Sequence, residues 1–109
     1  MSSELSVLID NEMAMARVAI SEMNDGKARV CARRAIVLVV QDSMKNIQSH
    51  WNSRLALEHL SENDKFPEHI ASAAKRLQGG LRAQIQGEVY SENPIEDAEI
   101  IIRYFVDLP

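Results

Sequence analysis

The sequence predicts an all-α protein, an antiparallel up-and-down bundle of four to five helices forming a single domain over 1–109. Three observations carry this. Apolar residues recur at three- and four-residue spacings along most of the chain, the period of a helix with one buried face. The breaks between these stretches are short and contain Asn, Asp, Gly or Pro, so successive helices turn back on one another. Aromatic residues make up only 5% and apolar residues 46%, so the core must come from Ala, Val, Ile, Leu and Met, side chains that suit closely packed helices. A chain of 109 residues supplies one such core and not two.

The first helix is predicted over Ser3–Met23. Leu5, Leu8, Ile9, Met13, Ala16, Ala19, Ile20 and Met23 form one stripe, Ser2 or Ser3 can cap the start, and Glu4 suits the positive end of the helix dipole. Asn24-Asp25-Gly26 then marks a turn short enough to set the second helix antiparallel to the first. In the second helix Ile36, Val40, Met44, Ile47 and Trp51 make a seam, which Ala28, Ala32 and Ala35 extend toward its start. The run Ala35–Val40 is apolar at every position. Six such residues cannot share one helix face, so the segment is expected to be buried on most sides, at the bundle centre or in a subunit interface. Val and Ile also favour strands, but the helical pattern continues on both sides without Gly or Pro, and no partner strand is evident.

A single helix from Lys27 to Ser61 would be about 50 Å long, so a break is expected near Trp51–Ser53. A short helix follows with Leu55, Ala56, Leu57 and Leu60 inward and Ser53 as its cap. After the polar loop Ser61–Lys65, a helix opens at Pro67, a favoured first position, with a stripe from Ile70 to Ile85. Gly79-Gly80 interrupts that stripe and predicts a kink or a close helix crossing. The phosphate-cradling alternative needs a preceding strand, and none is predicted. Asn93-Pro94-Ile95-Glu96 gives the last helix a cap, a first-turn proline and a capping-box acid.

Composition excludes several functions. The net charge of −4 disfavours a general nucleic-acid coat, though not a local basic patch. Cys31 is the only cysteine, so no intrachain disulfide forms, and no Cys/His spacing resembles a zinc site. No metal or cofactor is expected. The N-terminal segment has neither the basic region nor the apolar stretch of a secretory signal, and no apolar run is long enough to span a membrane. A cytoplasmic location is the default expectation.

Lys27, Arg29, Arg33 and Arg34 form a basic cluster with no acid among them and are the candidates for contact with an anion or nucleic acid. Arg29 and Arg33 share a helix face, whereas Arg33 and Arg34 diverge by about 100°. His50 beside Trp51 could stack on a base, but a helix-end His and a core-edge Trp are commoner. His69 reads as a surface residue, and Cys31 as a small buried hydrophobe. Glu96, Asp97 and Glu99 are explained by the dipole of the last helix.

The order of elements, with GKARVCARRA in the second helix and PIEDAE opening the last, resembles the HEPN superfamily (higher-eukaryote and prokaryote nucleotide-binding domains), in particular its small archaeal and bacterial members. The resemblance implies an all-α bundle that is commonly dimeric. Many members are metal-independent ribonucleases or toxins carrying an Arg and a His with four to six residues between them. Arg54 and His59 fit that spacing, with Leu55 where the family usually has a polar residue. Such a pair would be catalytic, the guanidinium holding the scissile phosphate and the imidazole moving protons. The leading expectation is a self-associating, non-catalytic binding or accessory module for a nucleotide, RNA or protein partner. The alternatives are a ribonuclease using Arg54 and His59, and an antitoxin-like or structural partner that binds through the second helix.

Overall fold

The computed structural model describes residues 2–44, 52–62 and 64–107. Among these residues the chain forms six helices and no strand: α1 (Ser3–Ser21), α2 (Asp25–Ser43), α3 (Ser53–Glu62), α4 (Glu68–Gln78), α5 (Leu81–Ile85) and α6 (Pro94–Val106). The all-α bundle is thus the observed fold, with the five-residue α5 as an additional short element.

The Ser2 hydroxyl caps α1 by accepting from the Leu5 N–H at 3.1 Å. The helix ends two residues earlier than its apolar stripe suggests, because the chain closes there in a Schellman turn. The Asn24 N–H donates to the Ala19 carbonyl at 2.7 Å and the Met23 N–H to the Ile20 carbonyl at 3.0 Å. Met23 therefore occupies the left-handed position, with φ of 60°, and its side chain is 93% exposed. That conformation costs an L-residue about 1–2 kcal/mol and a glycine almost nothing. Met23→Gly is expected to stabilise the protein by about 0.5–1 kcal/mol after the added entropy of the unfolded chain is offset, read as a higher urea midpoint at unchanged slope.

Asn24 then caps α2, accepting from the Lys27 N–H at 3.1 Å. α2 stops at Ser43. Asp42 lies against the negative end of the helix dipole, no basic side chain lies in the last turn, and the Ser43 hydroxyl donates to the Val40 carbonyl at 2.9 Å. The expected seam positions Ile47 and Trp51, and His50, lie outside the described residues. α3 is capped by Asn52, which accepts from the Leu55 N–H at 2.9 Å, one residue before the predicted Ser53. Pro67 is the cap of α4 and Glu68 its first residue. Gly79-Gly80 divides the predicted third stripe into α4 and α5, and α5 buries none of its residues.

α2 is the central helix. It packs on α1, α3 and α6, and α4 closes the far side against α3 and α6. Ala35, Ile36, Val39 and Val40 of the apolar run are buried, while Val37 and Leu38 are half-buried and packed against that core. Leu57, Leu60, Ile70, Leu77 and Ile101 complete the core with them. α1 and α2 meet through small side chains, Ala16, Ala19, Ala28, Cys31 and Ala32, all buried. The stripe of α1 is narrower than predicted: Ile9, Met13, Ala16 and Ala19 are buried, but Leu8, Ile20 and Met23 are exposed.

Candidate functional site

The basic cluster of α2 divides between two surroundings. Arg29 is buried, 5% exposed, and its Nε donates to Asp25 at 2.5 Å while Nη1 reaches the Gly79 carbonyl at 3.4 Å. The Arg33 Nε donates to the Leu77 carbonyl at 2.8 Å. Both guanidinium groups thus sit at the C-terminal end of α4, where the last carbonyls lack helical partners and the dipole is negative. Burial, and then the charge of Arg29, lower the pKa of Arg33. Arg34, one residue on, turns outward and lies 3.7 Å from Glu12 on α1. Lys27 is exposed in the first turn of α2.

Two hollows meet at Arg33. One, of about 460 Å³, is lined by the apolar Val30, Val37 and Leu38 and by the polar Glu12, Arg34, Asn52 and Ser53. The other, of about 310 Å³, lies between Arg54, Glu58, Leu57 and Gln78. Arg33 and Ser53 line both.

Arg54 and His59 do not converge within one chain. Five positions along a helix separate two side chains by about 140°. Arg54 is exposed and donates to Glu58 at 3.1 Å. His59 is half-buried, with its ring edge-on to Phe66 at 5.5 Å, beside a cluster in which Phe66 contacts Tyr104 and Phe105. Desolvation, with a smaller effect from Lys65, lowers the His59 pKa and favours the neutral ring. Among the described residues no group of three or more His, Cys, Asp or Glu side chains is placed to hold a metal.

One polar cluster was not foreseen. Asp97 is buried and accepts three charge-assisted contacts from Arg76, at 2.7 Å from Nη2 to Oδ1 and at 3.1 and 3.2 Å from Nε to Oδ1 and Oδ2. The hydroxyl of the fully buried Ser91 donates to Oδ2 of Asp97 at 2.5 Å. The hydrogen bonds to Asp97 raise the Arg76 pKa further. Of the other acids at the start of α6, Glu96 donates its backbone N–H to the Asn93 side-chain oxygen at 3.1 Å and accepts from the Asn93 side-chain amide at 3.4 Å, and Glu99 bridges Arg17 of α1 and Arg103. In sequence Asp97 is one of several first-turn acids, and nothing local marks it as the one that meets Arg76.

The remaining surface feature is apolar. Val7, Leu8, Met15 and Val18 on α1 are between 41% and 55% exposed, and Val30 on α2 is 42% exposed. The four α1 residues and Ala14 fall within about 120° of the helix circumference, with Asn11 the only polar residue among them between Glu4 and Glu22. α1 thus presents apolar side chains on the face turned away from the core as well as on its packed face.

No protein-family model matches the chain, and no curated protein or solved structure matches it at a significant level. Among the described residues no helix is long and apolar enough to cross a membrane.

Proposed function

We propose that this chain is a self-associating, non-catalytic helical-bundle module in which a second copy docks on the outer face of α1. The observation that carries this reading is the band of Val7, Leu8, Ala14, Met15 and Val18. Single exposed apolar residues are ordinary on any surface, but a contiguous band along a helix marks an interaction face. The band is flanked by an acid and a base. Glu12 has one buried oxygen that accepts no hydrogen bond, and Arg34 is exposed 3.7 Å from the other. A face carrying both signs is self-complementary under a two-fold axis, where Glu12 of each copy would meet Arg34 of the other. The resemblance to the commonly dimeric HEPN superfamily supports the same reading, and a cytoplasmic setting belongs to it. The divergence of Arg54 and His59 weighs against a catalytic pair within one chain.

Light scattering across a concentration series tests the proposal. The wild-type mass is expected to approach twice 12.3 kDa as concentration rises, and the Met15→Lys/Val18→Lys double variant to remain monomeric with an unchanged circular dichroism spectrum. A wild-type protein that is monomeric throughout would refute it.

A further inference from the structure

Among the described residues Arg33 is a half-buried cation with no salt-bridge partner, and the Asp25 carboxylate, paired with Arg29, acts on it only from beyond contact distance. Its neighbours on the two hollows each have a carboxylate, Arg34 with Glu12 and Arg54 with Glu58, and Arg29 behind them has Asp25. The only hydrogen bond that Arg33 makes among the described residues is the one from Nε to the Leu77 carbonyl, which leaves both terminal nitrogens without an acceptor. Around the junction, among the described residues, three arginines face two glutamates, so one positive charge is in excess. A partly desolvated charge left without a partner is costly, and a bound anion relieves that cost.

We propose that the groove centred on Arg33 binds a monoanionic amphipathic carboxylate, its head on the Arg33 guanidinium and its hydrocarbon body against Val30, Val37 and Leu38. The planar fork of a guanidinium matches the two oxygens of a carboxylate. A groove of about 460 Å³ is of the size that holds a small organic ligand. The local charge selects a single negative charge: a polyphosphate would bring further anionic groups against Glu58 and against the buried Glu12 oxygen, which already lacks a donor. The Ser53 hydroxyl, on the wall shared by both hollows, is the next polar group available to the head. The site lies within one chain but shares Glu12 and Arg34 with the flank of the proposed α1 interface; the monomeric Met15→Lys/Val18→Lys variant keeps every lining residue and is expected to bind at least as tightly as the wild type.

Isothermal titration with decanoate tests this, with inorganic phosphate as the comparison ligand. Decanoate is expected to saturate one site per chain, and phosphate to bind at least about tenfold more weakly for want of an apolar body. Arg33→Gln is expected to weaken decanoate binding by about tenfold or more, the scale set by one charged hydrogen-bonded contact. Because that change also removes a donor to Leu77, Ser53→Glu is the second variant. An acid suits the first turn of α3, so the fold should hold, while the added negative charge should weaken binding by a similar factor. Non-saturating decanoate binding, affinity unchanged in both variants, or phosphate binding as tight as decanoate would each overturn the proposal.

Discussion

Gly79→Ala is expected to destabilise the protein by about 3 kcal/mol, at the upper end of the cost of overpacking, and to lower Tm by roughly 15 °C for a domain of this size. The requirement for glycine here is not conformational. Gly79 has φ of −84° and ψ of 133°, which any residue adopts. It is spatial: a Cβ at this position would lie 2.8 Å from the Tyr90 Cα and closer still to the Val89 carbonyl oxygen. Both are backbone atoms, so no side-chain rotation relieves the overlap and the two segments must separate. Separation pulls on Ser91, the next residue along, and on the contact from Arg29 to the Gly79 carbonyl. Gly80→Ala is the internal control. Its Cβ would meet only the Arg33 Nη2, at the ordinary distance of 3.6 Å, and a change below about 1 kcal/mol is expected. Thermal unfolding of the two variants side by side separates a local packing constraint from a general intolerance of the glycine pair.

Asp97→Ala is the other large effect, with a predicted loss of about 3 kcal/mol in urea unfolding. Removing one member of a buried pair costs about 3–5 kcal/mol because the other is left uncompensated. The lower end applies because the Arg76 side chain is 37% exposed and can recover water. Ser91 cannot, since it is fully buried and donates to Asp97. Asp97→Asn keeps the shape and one acceptor, and a loss of about 1–2 kcal/mol is expected. If Asp97→Ala were no worse than Asp97→Asn, the cluster would not be holding α4, α6 and the segment before α6 together.

The parts of the fold that were legible in sequence are those whose causes are local. Asn93 and Pro94 start α6 as the sequence predicts, because a side-chain cap and a first-turn proline lie wholly within four residues, although the Glu96 carboxylate meets the Asn93 side-chain amide and not its backbone N–H. The shift of the α3 cap from Ser53 to Asn52 is a choice between neighbouring residues with the same capping chemistry. The end of α2 was harder. An unbroken apolar run masks the weak stop signals at Asp42 and Ser43. Gly79-Gly80 announced an interruption, but its reason, the backbone of Val89 and Tyr90 passing against Gly79, lies ten residues further on.

The candidate site was legible only as a set of residue types. Lys27, Arg29, Arg33 and Arg34 read as one basic patch because they are close in the chain. What separates them is the end of α4: the Leu77 and Gly79 carbonyls, 44 and 50 residues away, engage Arg33 and Arg29 and leave Arg34 to Glu12. Asp97 and Arg76, 21 residues apart, were hidden for the same reason. The outer face of α1 was obscured differently. Of its apolar residues only Leu8 falls in the predicted inward stripe; Val7, Ala14, Met15 and Val18 lie outside that stripe, and the packing of α1 against α2 leaves them open.

Coverage of the outer face of α1 by a second copy would be read from the reactivity of a thiol placed there. Cys31 is buried and provides a quiet background. In an Ala14→Cys protein, maleimide labelling is expected to slow severalfold between dilute and concentrated solution, while an exposed Lys27→Cys control labels at the same rate in both. Equal labelling rates for Ala14→Cys at all concentrations would contradict the account.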